Sequence, residues 1–106
     1  MDDTTFERLA GEVLQNLAER IEDAADDLDV ELLGGVLTVK AASGTFVVNK
    51  HAPLKQLWLS SPVSGASHYG LEPATGAWRS TRGGGELFAT LGTDLSRCAG
   101  RPIALD

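Results

Sequence analysis

The feature that most limits the fold is a change of hydrophobic period along the chain. In residues 4–27, apolar side chains recur at the i, i+3, i+4 and i+7 spacing of an amphipathic helix. From residue 29 to residue 80 the pattern becomes short alternating runs separated by turn residues, which is typical of antiparallel strands. Helical spacing returns in residues 86–98. This order predicts an α+β sandwich, with two helices on one face of an antiparallel sheet, as a single domain over residues 1–106.

Turn and capping residues mark the boundaries of these elements. Thr4 and Glu7 have the spacing of a capping box and predict the start of the first helix. Gly34-Gly35 predicts a hairpin turn, and Gly100 is suited to stop the second helix before an extended tail. Strands are expected near residues 29–33, 36–40, 44–50, 54–60, 66–71 and 76–80.

The acidic residues are concentrated at one end of the sequence. Residues 1–31 hold eleven of the fifteen Asp and Glu residues but only two of the nine Lys and Arg residues. The net charge of −6 argues against nucleic-acid binding, because phosphate contacts need clustered basic residues. A lone Cys98, expected to be buried, excludes a disulfide framework and a CxxC site. No apolar run approaches the roughly 18 residues of a membrane span.

Six of the ten residues in the segment 22–31 are carboxylates, close to the predicted end of the first helix. Carboxylates at a helix C-terminus oppose the helix dipole, so this clustering destabilises the helix. Crowded carboxylate oxygens suit hard cations, and without a His/Cys set any bound metal is expected to be held weakly. A solvated helix face without a ligand is the alternative. The candidate metal ligands are Glu12, Glu19, Glu22, Asp23, Asp26, Asp29 and Glu31.

Trp58 lies in a segment whose side chains alternate between two faces. Leu57 and Leu59 share one face, whereas Gln56, Trp58 and Ser60 share the other. If the leucines face the core, Trp58 is exposed among polar groups, and an exposed tryptophan is a frequent anchor for a protein partner. A turn at residues 51–53 would bring Asn49 close to it. The alternative is that Trp58 belongs to the core.

The other polar residues carry weaker signals. His51 and His68 are interpreted as ordinary surface histidines. The segment 82–86 is interpreted as a turn before the second helix, because it lacks the GK[ST] ending of a phosphate loop. Four serines have no visible partner for a catalytic triad, namely Ser60, Ser61, Ser64 and Ser67.

Three long stretches of the sequence resemble the frataxin family. They are TTFERLAGEVLQNLAERIEDAAD, DVELLGGVLTVK and GTFVVNKHAPLKQLWLSSPVSG, the last followed by Tyr69. The similarity runs from about Thr4 to Trp78 and extends more loosely into the second helix. It is closer to mitochondrial frataxins than to the bacterial branch. The resemblance implies the frataxin-like α–β sandwich and a place in the mitochondrial matrix, with the bacterial cytoplasm as the alternative.

The resemblance also implies an iron-binding regulator of iron–sulfur cluster assembly. Frataxins bind iron (Fe²⁺ or Fe³⁺) weakly on an acidic ridge, and on this basis Asp27 joins the candidate carboxylates. Outward strand residues of the family contact the cysteine desulfurase–scaffold complex. Their counterparts here are Asn49, Lys50, Gln56, Trp58, Ser60 and His68. A weak ferroxidase, an iron chaperone and an iron-storage protein stay open as alternatives, and we expect a monomer that iron could drive into an oligomer.

A few positions depart from the family pattern. Gly11 and Gln15 stand where relatives often carry acids. His68 stands where mitochondrial relatives tend to have arginine, and His51 where they tend to have glutamine. A neutral imidazole lacks the guanidinium fork, so partner contacts at that edge are expected to be weaker. The tail after Arg101 is short, which predicts lower stability if relatives cover the groove between their helices with a longer tail.

Overall fold

A computed structural model describes residues 1–105 of the chain. Its elements are α1 (Asp3–Ala24), β1 (Asp29–Leu33), β2 (Val36–Ala41), β3 (Gly44–His51), β4 (Gln56–Ser61), β5 (Gly65–Glu72), β6 (Ala77–Ser80) and α2 (Leu87–Ala99). A short 3-10 turn, Ala52–Leu54, joins β3 to β4. The last residue of the predicted tail, Asp106, lies outside the described residues. Within residues 1–105, neither helix combines the length and the apolar composition needed to cross a membrane.

The six strands form one antiparallel sheet in which each strand pairs with the next along the chain. Both helices pack on the same face of this sheet, which confirms the predicted α+β sandwich. Leu57 and Leu59 of β4 point toward the helices and are buried, whereas Trp58 points to the opposite face and is only half-buried. That opposite face carries no covering element from residues 1–105.

The ends of α1 differ from the sequence prediction. The N-cap is Asp2, whose side chain accepts a hydrogen bond from the backbone N–H of Thr5 at 2.7 Å, so the predicted Thr4–Glu7 capping box is wrong. The helix ends at Ala24 instead of residue 27, and Ala25 is already extended and buried. An earlier stop is reasonable because the last turn contains no basic residue to offset the helix dipole.

The hairpins follow the predicted turn residues with one exception. Gly34 and Gly35 have φ angles of +60° and +78°, as a two-residue turn with two left-handed positions requires. The exception is the start of β4, which begins at Gln56 because the 3-10 turn occupies residues 52–54. In that turn the backbone N–H of Leu54 donates to His51 Nδ1 at 3.3 Å.

The core lies between the helices and the inner face of the sheet. Its largest fully buried side chains include Trp78, Tyr69, Phe6 and Phe46. The buried residues of α1 are Phe6, Ala10, Leu14, Leu17, Ala18 and Ile21, and they follow the amphipathic spacing that predicted this helix. Cys98 is half-buried rather than buried.

The C-terminal tail fills the groove between α1 and α2 despite its short length. Ile103 and Leu105 are buried there, and a Cβ on Gly92 of α2 would lie 3.2 Å from the Ile103 carbonyl oxygen. The N–H of Ile103 donates to Ser96 Oγ at 2.7 Å, and Arg20 Nη1 donates to the Leu105 carbonyl at 2.6 Å. Residues 103–105 therefore close the groove.

We expect Ile103→Ala to lower the free energy of unfolding by about 2–4 kcal/mol, because it removes buried methyl groups from this groove. Leu54→Ala is the matched control, since Leu54 is 57% exposed and its truncation is expected to change stability by less than about 0.5 kcal/mol. Urea denaturation of both variants measures the difference. Equal losses would show that the tail adds little to the fold.

Candidate functional site

The eight candidate carboxylates form a band along one edge of the molecule, called the acidic ridge here. Its members are Glu12, Glu19, Glu22, Asp23, Asp26, Asp27, Asp29 and Glu31, and all are exposed. The first four lie on α1, and Asp26 and Asp27 follow the helix in a turn. Asp29 and Glu31 point outward from β1, the edge strand of the sheet. Asp26 and Asp27 fall within the helix predicted over residues 4–27, but they lie outside it because α1 ends at Ala24.

The acidic ridge is extended and does not converge on one point. Within residues 1–105, no three His, Cys, Asp or Glu side chains come close enough together to hold a metal ion. Lys40 of β2 lies directly opposite Asp29 in the β1–β2 pair. Both residues line a cavity of about 190 Å³ together with Glu31 and Thr38. The donor set suits hard cations held partly by water, but the arrangement contains no preformed coordination shell.

Basic side chains neutralise part of the acidic ridge. Arg8 pairs with Glu12 at 3.4 Å on the helix surface. Arg101, from the C-terminal tail, forms an ion pair with both carboxylate oxygens of Asp27. Hydrogen bonding from Arg101 lowers the pKa of Asp27 below its ordinary value, and the same contact raises the pKa of Arg101. The tail therefore supplies a base to the ridge that the local sequence lacks.

Asp27→Asn is expected to lower the urea midpoint at pH 7 by removing the ion pair with Arg101. Because the folded-state pKa of Asp27 is depressed, its carboxylate stabilises the fold at pH values above the ordinary pKa of 3.8. This contribution is lost as the pH falls through the lower folded-state pKa, so the two proteins should converge in acid. Urea titrations from neutral to acid pH measure this convergence.

Asp26→Asn is the matched control, because Asp26 is adjacent and forms no ion pair within residues 1–105. It should leave the midpoint nearly unchanged at every pH. A difference for Asp27→Asn that persisted undiminished in acid would contradict the role given to its carboxylate.

The second candidate surface centres on a stack of three aromatic rings on the uncovered sheet face. The indole of Trp58 lies between the imidazoles of His51 and His68, with ring centroids 3.9 Å and 4.2 Å away and interplanar angles of 7° and 11°. We call these three residues the aromatic column. His68 lies directly opposite Trp58 across the β4–β5 pair, and His51 is its diagonal neighbour on β3. Both faces of the indole are therefore covered.

Hydrogen bonds fix the orientation of the aromatic column. The Nε1–H of Trp58 donates to Gln56 Oε1 at 2.9 Å. His51 Nδ1 accepts the N–H of Leu54, so a neutral His51 carries its proton on Nε2. Stacking on both sides and a satisfied indole N–H restrict the rotation of Trp58. The column is thus a preorganised surface feature rather than a mobile side chain.

The other predicted partner-binding residues divide between the two faces of the sheet. Asn49 lies opposite Trp58 on β3, and Ser60 lies two residues along β4, so both are on the uncovered face. Both line a small cavity of about 160 Å³ beside the aromatic column. Lys50 points to the helix side and forms an ion pair with Glu7 of α1. The structure therefore places Lys50 outside the surface formed by the other five residues.

Sequence analysis missed the interaction of the two histidines with Trp58. The length of the β4–β5 turn was the available signal. If Ser61 pairs with Gly65 at the two ends of that turn, three further pairs place Trp58 opposite His68. It also missed Asp94, which is only 5% exposed and accepts hydrogen bonds from Ser61 Oγ at 2.7 Å and Ser64 Oγ at 2.5 Å. These contacts join α2 to the β4–β5 turn, and nothing in the local sequence pattern of α2 indicates them.

Comparison with known proteins identifies the family of the chain. The profile of the frataxin-like domain matches residues 1–101. The chain belongs to the frataxin family. It is 37% identical over 109 residues to the mitochondrial frataxin homolog of Schizosaccharomyces pombe, covering 97% of this chain and 69% of that protein. It is 36% identical over 111 residues to the mitochondrial frataxin of Arabidopsis thaliana, covering 99% of this chain and 59% of that protein. The chain thus spans less than two thirds of the plant relative.

Solved frataxin structures share the fold. The frataxin of Psychromonas ingrahamii superposes with a TM-score of 0.89 at 26% identity, covering 100% of this chain and 99% of that one. A trimeric frataxin of the yeast Saccharomyces cerevisiae, complexed with ferrous iron, superposes with a TM-score of 0.70 at 34% identity, covering 95% of this chain and 88% of that chain. These similarities agree with two helices on a six-stranded antiparallel sheet.

Proposed function

We propose that this protein is an iron-binding regulator of iron–sulfur cluster assembly that stimulates a cysteine desulfurase–scaffold complex. The observation that carries the proposal is the aromatic column on a sheet face that no element of residues 1–105 covers. A half-buried tryptophan with both faces packed and its N–H satisfied loses little side-chain entropy on binding, which suits a binding anchor. Membership of the frataxin family supports this interpretation.

The acidic ridge has a separate role in this proposal. Its carboxylates lie along α1 and the β1 edge, away from the aromatic column near the middle of the sheet. Uncompensated carboxylates of this kind steer a protein toward a basic surface and attract hard cations. We infer that the ridge contacts a basic surface of the desulfurase and holds Fe²⁺ weakly. By analogy with the mitochondrial relatives, this would occur in the mitochondrial matrix.

Trp58→Ala is expected to abolish the stimulation of sulfide production by the cognate desulfurase–scaffold complex, because it removes the central ring of the aromatic column. The assay compares the rate without the protein, with the wild type, and with the variant. Leu33→Ala is the matched control, since it truncates an apolar side chain on the same face at the distant β1 edge, where Leu33 is 71% exposed. That control should stimulate like the wild type.

A stability measurement separates loss of the surface from loss of the fold. Trp58→Ala should lower the free energy of unfolding less than Trp78→Ala, which removes a buried core ring and is expected to lose about 3–5 kcal/mol. A wild type that does not stimulate the complex would overturn the proposal. Full stimulation by Trp58→Ala would overturn the role given to the aromatic column.

Iron handling on the acidic ridge, as a chaperone, a storage protein or a weak ferroxidase, is the second candidate function. The yeast relative complexed with ferrous iron is trimeric, which favours a cation-handling role that includes association of several chains. In this chain, Glu22 and Asp23 are adjacent exposed carboxylates at the end of α1, and neither has an ion-pair partner within residues 1–105. Both are therefore available to bind a cation.

Replacing this pair by Glu22→Gln/Asp23→Asn is expected to weaken anaerobic Fe²⁺ binding about two- to tenfold, the range for two exposed charges. Asp3→Asn/Glu7→Gln removes the same charge from the other end of α1 and should change the affinity much less. Calorimetric titration with Fe²⁺ measures both, and Fe²⁺ oxidation above the buffer rate tests ferroxidase activity. Equal affinities in the two variants would remove the ridge as the iron-binding surface.

A further inference from the structure

A second cavity borders the aromatic column on the side away from β3. It has a volume of about 360 Å³ and is lined by Ala66, Ser67, His68, Ser80 and Arg82. It forms because β6 pairs only with the second half of β5, from Tyr69 to Glu72, so the first half of β5 has a neighbouring strand on its β4 side alone. His68 is the wall shared by this cavity and the smaller one next to Trp58.

Arg82 is a base without an acidic partner in this cavity. Most of the other basic side chains are already engaged by carboxylates or a carbonyl: Arg8, Arg20, Lys50, Lys55, Arg79 and Arg101. Within residues 1–105, Arg82 makes no ion pair, and its guanidinium and the His68 imidazole make no hydrogen bond. Its position is held from the backbone, since the N–H of Arg82 donates to Ser80 Oγ at 3.2 Å.

The charge around the cavity is positive, in contrast to the acidic ridge. The nearest acid on the outward face of β5 is Glu72, which is already engaged by Arg79 at 3.1 Å and by the Thr75 hydroxyl at 2.6 Å. An anion entering between His68 and Arg82 would thus meet two nitrogen donors and no free carboxylate of its own strand. A guanidinium fork binds a carboxylate with two parallel hydrogen bonds.

The neighbouring cavity indicates that the anion belongs to a peptide. That cavity of about 160 Å³ lies on the other side of His68 and is lined in part by Val47, Trp58 and Ala66, which suit a small aliphatic side chain. An extended segment places alternate side chains on the same face, so it could fill both cavities across the His68 ring. An isolated inorganic anion would use only the first.

We propose that the cavity between His68 and Arg82 binds a carboxylate side chain of an acidic segment in a partner protein, and that an aliphatic side chain two residues along the same segment lies beside Trp58. The inference deepens the proposed function and rests on it for the identity of the partner, because the docking face is the same. It assigns a recognition role to Arg82, in a segment whose sequence pattern indicates only a turn. The segment bound at this cavity is acidic, whereas the surface expected to contact the acidic ridge is basic.

The first test uses a synthetic peptide as the probe, acetyl-Val-Ser-Glu-Ser-Val-amide, in which Glu and both Val side chains share one face of an extended chain, and the ¹⁵N-labelled protein in NMR titration. The peptide should shift the Trp58 indole N–H and the backbone amides of residues 66–68. Arg82→Gln should weaken its affinity about three- to tenfold, between an exposed ion pair and a charge-assisted hydrogen bond. Arg97→Gln is the matched control, since Arg97 is also exposed and makes no ion pair within residues 1–105, but it lies on α2.

Three results would overturn the proposal. They are no binding of the acidic peptide, equal binding of the matched Val-Ser-Gln-Ser-Val peptide, and equal effects of the two arginine variants. Inorganic phosphate serves as the free-anion probe. If phosphate produced the same shifts as the peptide, including those at Trp58, the site would be one for small anions and not for a partner segment.

The desulfurase assay distinguishes failure of this inference from failure of the proposed function. Loss of stimulation by Arg82→Gln but not by Arg97→Gln would support both. A wild type that stimulates, with an Arg82→Gln variant equally active, would overturn the carboxylate subsite and leave the function standing. Binding of the acidic peptide by a wild type that stimulates nothing would overturn the function and leave the subsite standing.

Discussion

The packing of both helices on one face of the sheet is the constraint on which the other features depend. Most inward side chains of the strands are apolar, because they meet α1, α2 or the tail, and inward polar groups such as Lys50 and Ser61 have partners on the helices. The outward side chains are free to serve another purpose. In β4, strand side chains alternate strictly between the two faces. Leu57 and Leu59 therefore face the helices, and Trp58 faces the opposite side. A register slip of one residue would bury Trp58 and expose the leucines, so the fold protects the aromatic column through the stability of its core.

The same one-sided packing explains why the two charged regions do not interfere. The carboxylates of the acidic ridge lie on α1 and the β1 edge, and Arg82, which makes no ion pair within residues 1–105, follows the opposite edge strand, β6. Strands β2 to β5 lie between them, which is more than the distance over which exposed charges act at physiological salt. One small chain can therefore present an acidic surface and a basic surface independently. Arg101 is the exception, because the tail returns to the acidic end and neutralises Asp27.

Much of the fold was predictable because its signals are local. Hydrophobic period, glycine turns and alternation located both helices and all six strands, and alternation placed Trp58 on the face opposite Leu57 and Leu59. Two of the errors are local, at the ends of α1, and one depends on a longer-range contact. Asp2 replaces Thr4 as the N-cap, α1 stops at Ala24, and Asp94 binds two serines that lie some thirty residues earlier in the chain. The residues of the acidic ridge were also predictable from the sequence. Its ion pair with Arg101 was not, because that contact depends on the tertiary path of the tail.

The aromatic column shows how a substitution can change the chemistry of a surface while keeping its shape. Two imidazoles stack on Trp58 at positions where the family resemblance leads one to expect arginine and glutamine. A flat ring at position 68 packs on the indole as a guanidinium plane would, but it lacks the fork of donors that a guanidinium presents. Arg82, on the far side of His68, returns a permanent positive charge to the same edge. The surface can then keep both a rigid aromatic anchor and a fixed cation, supplied by two residues instead of one.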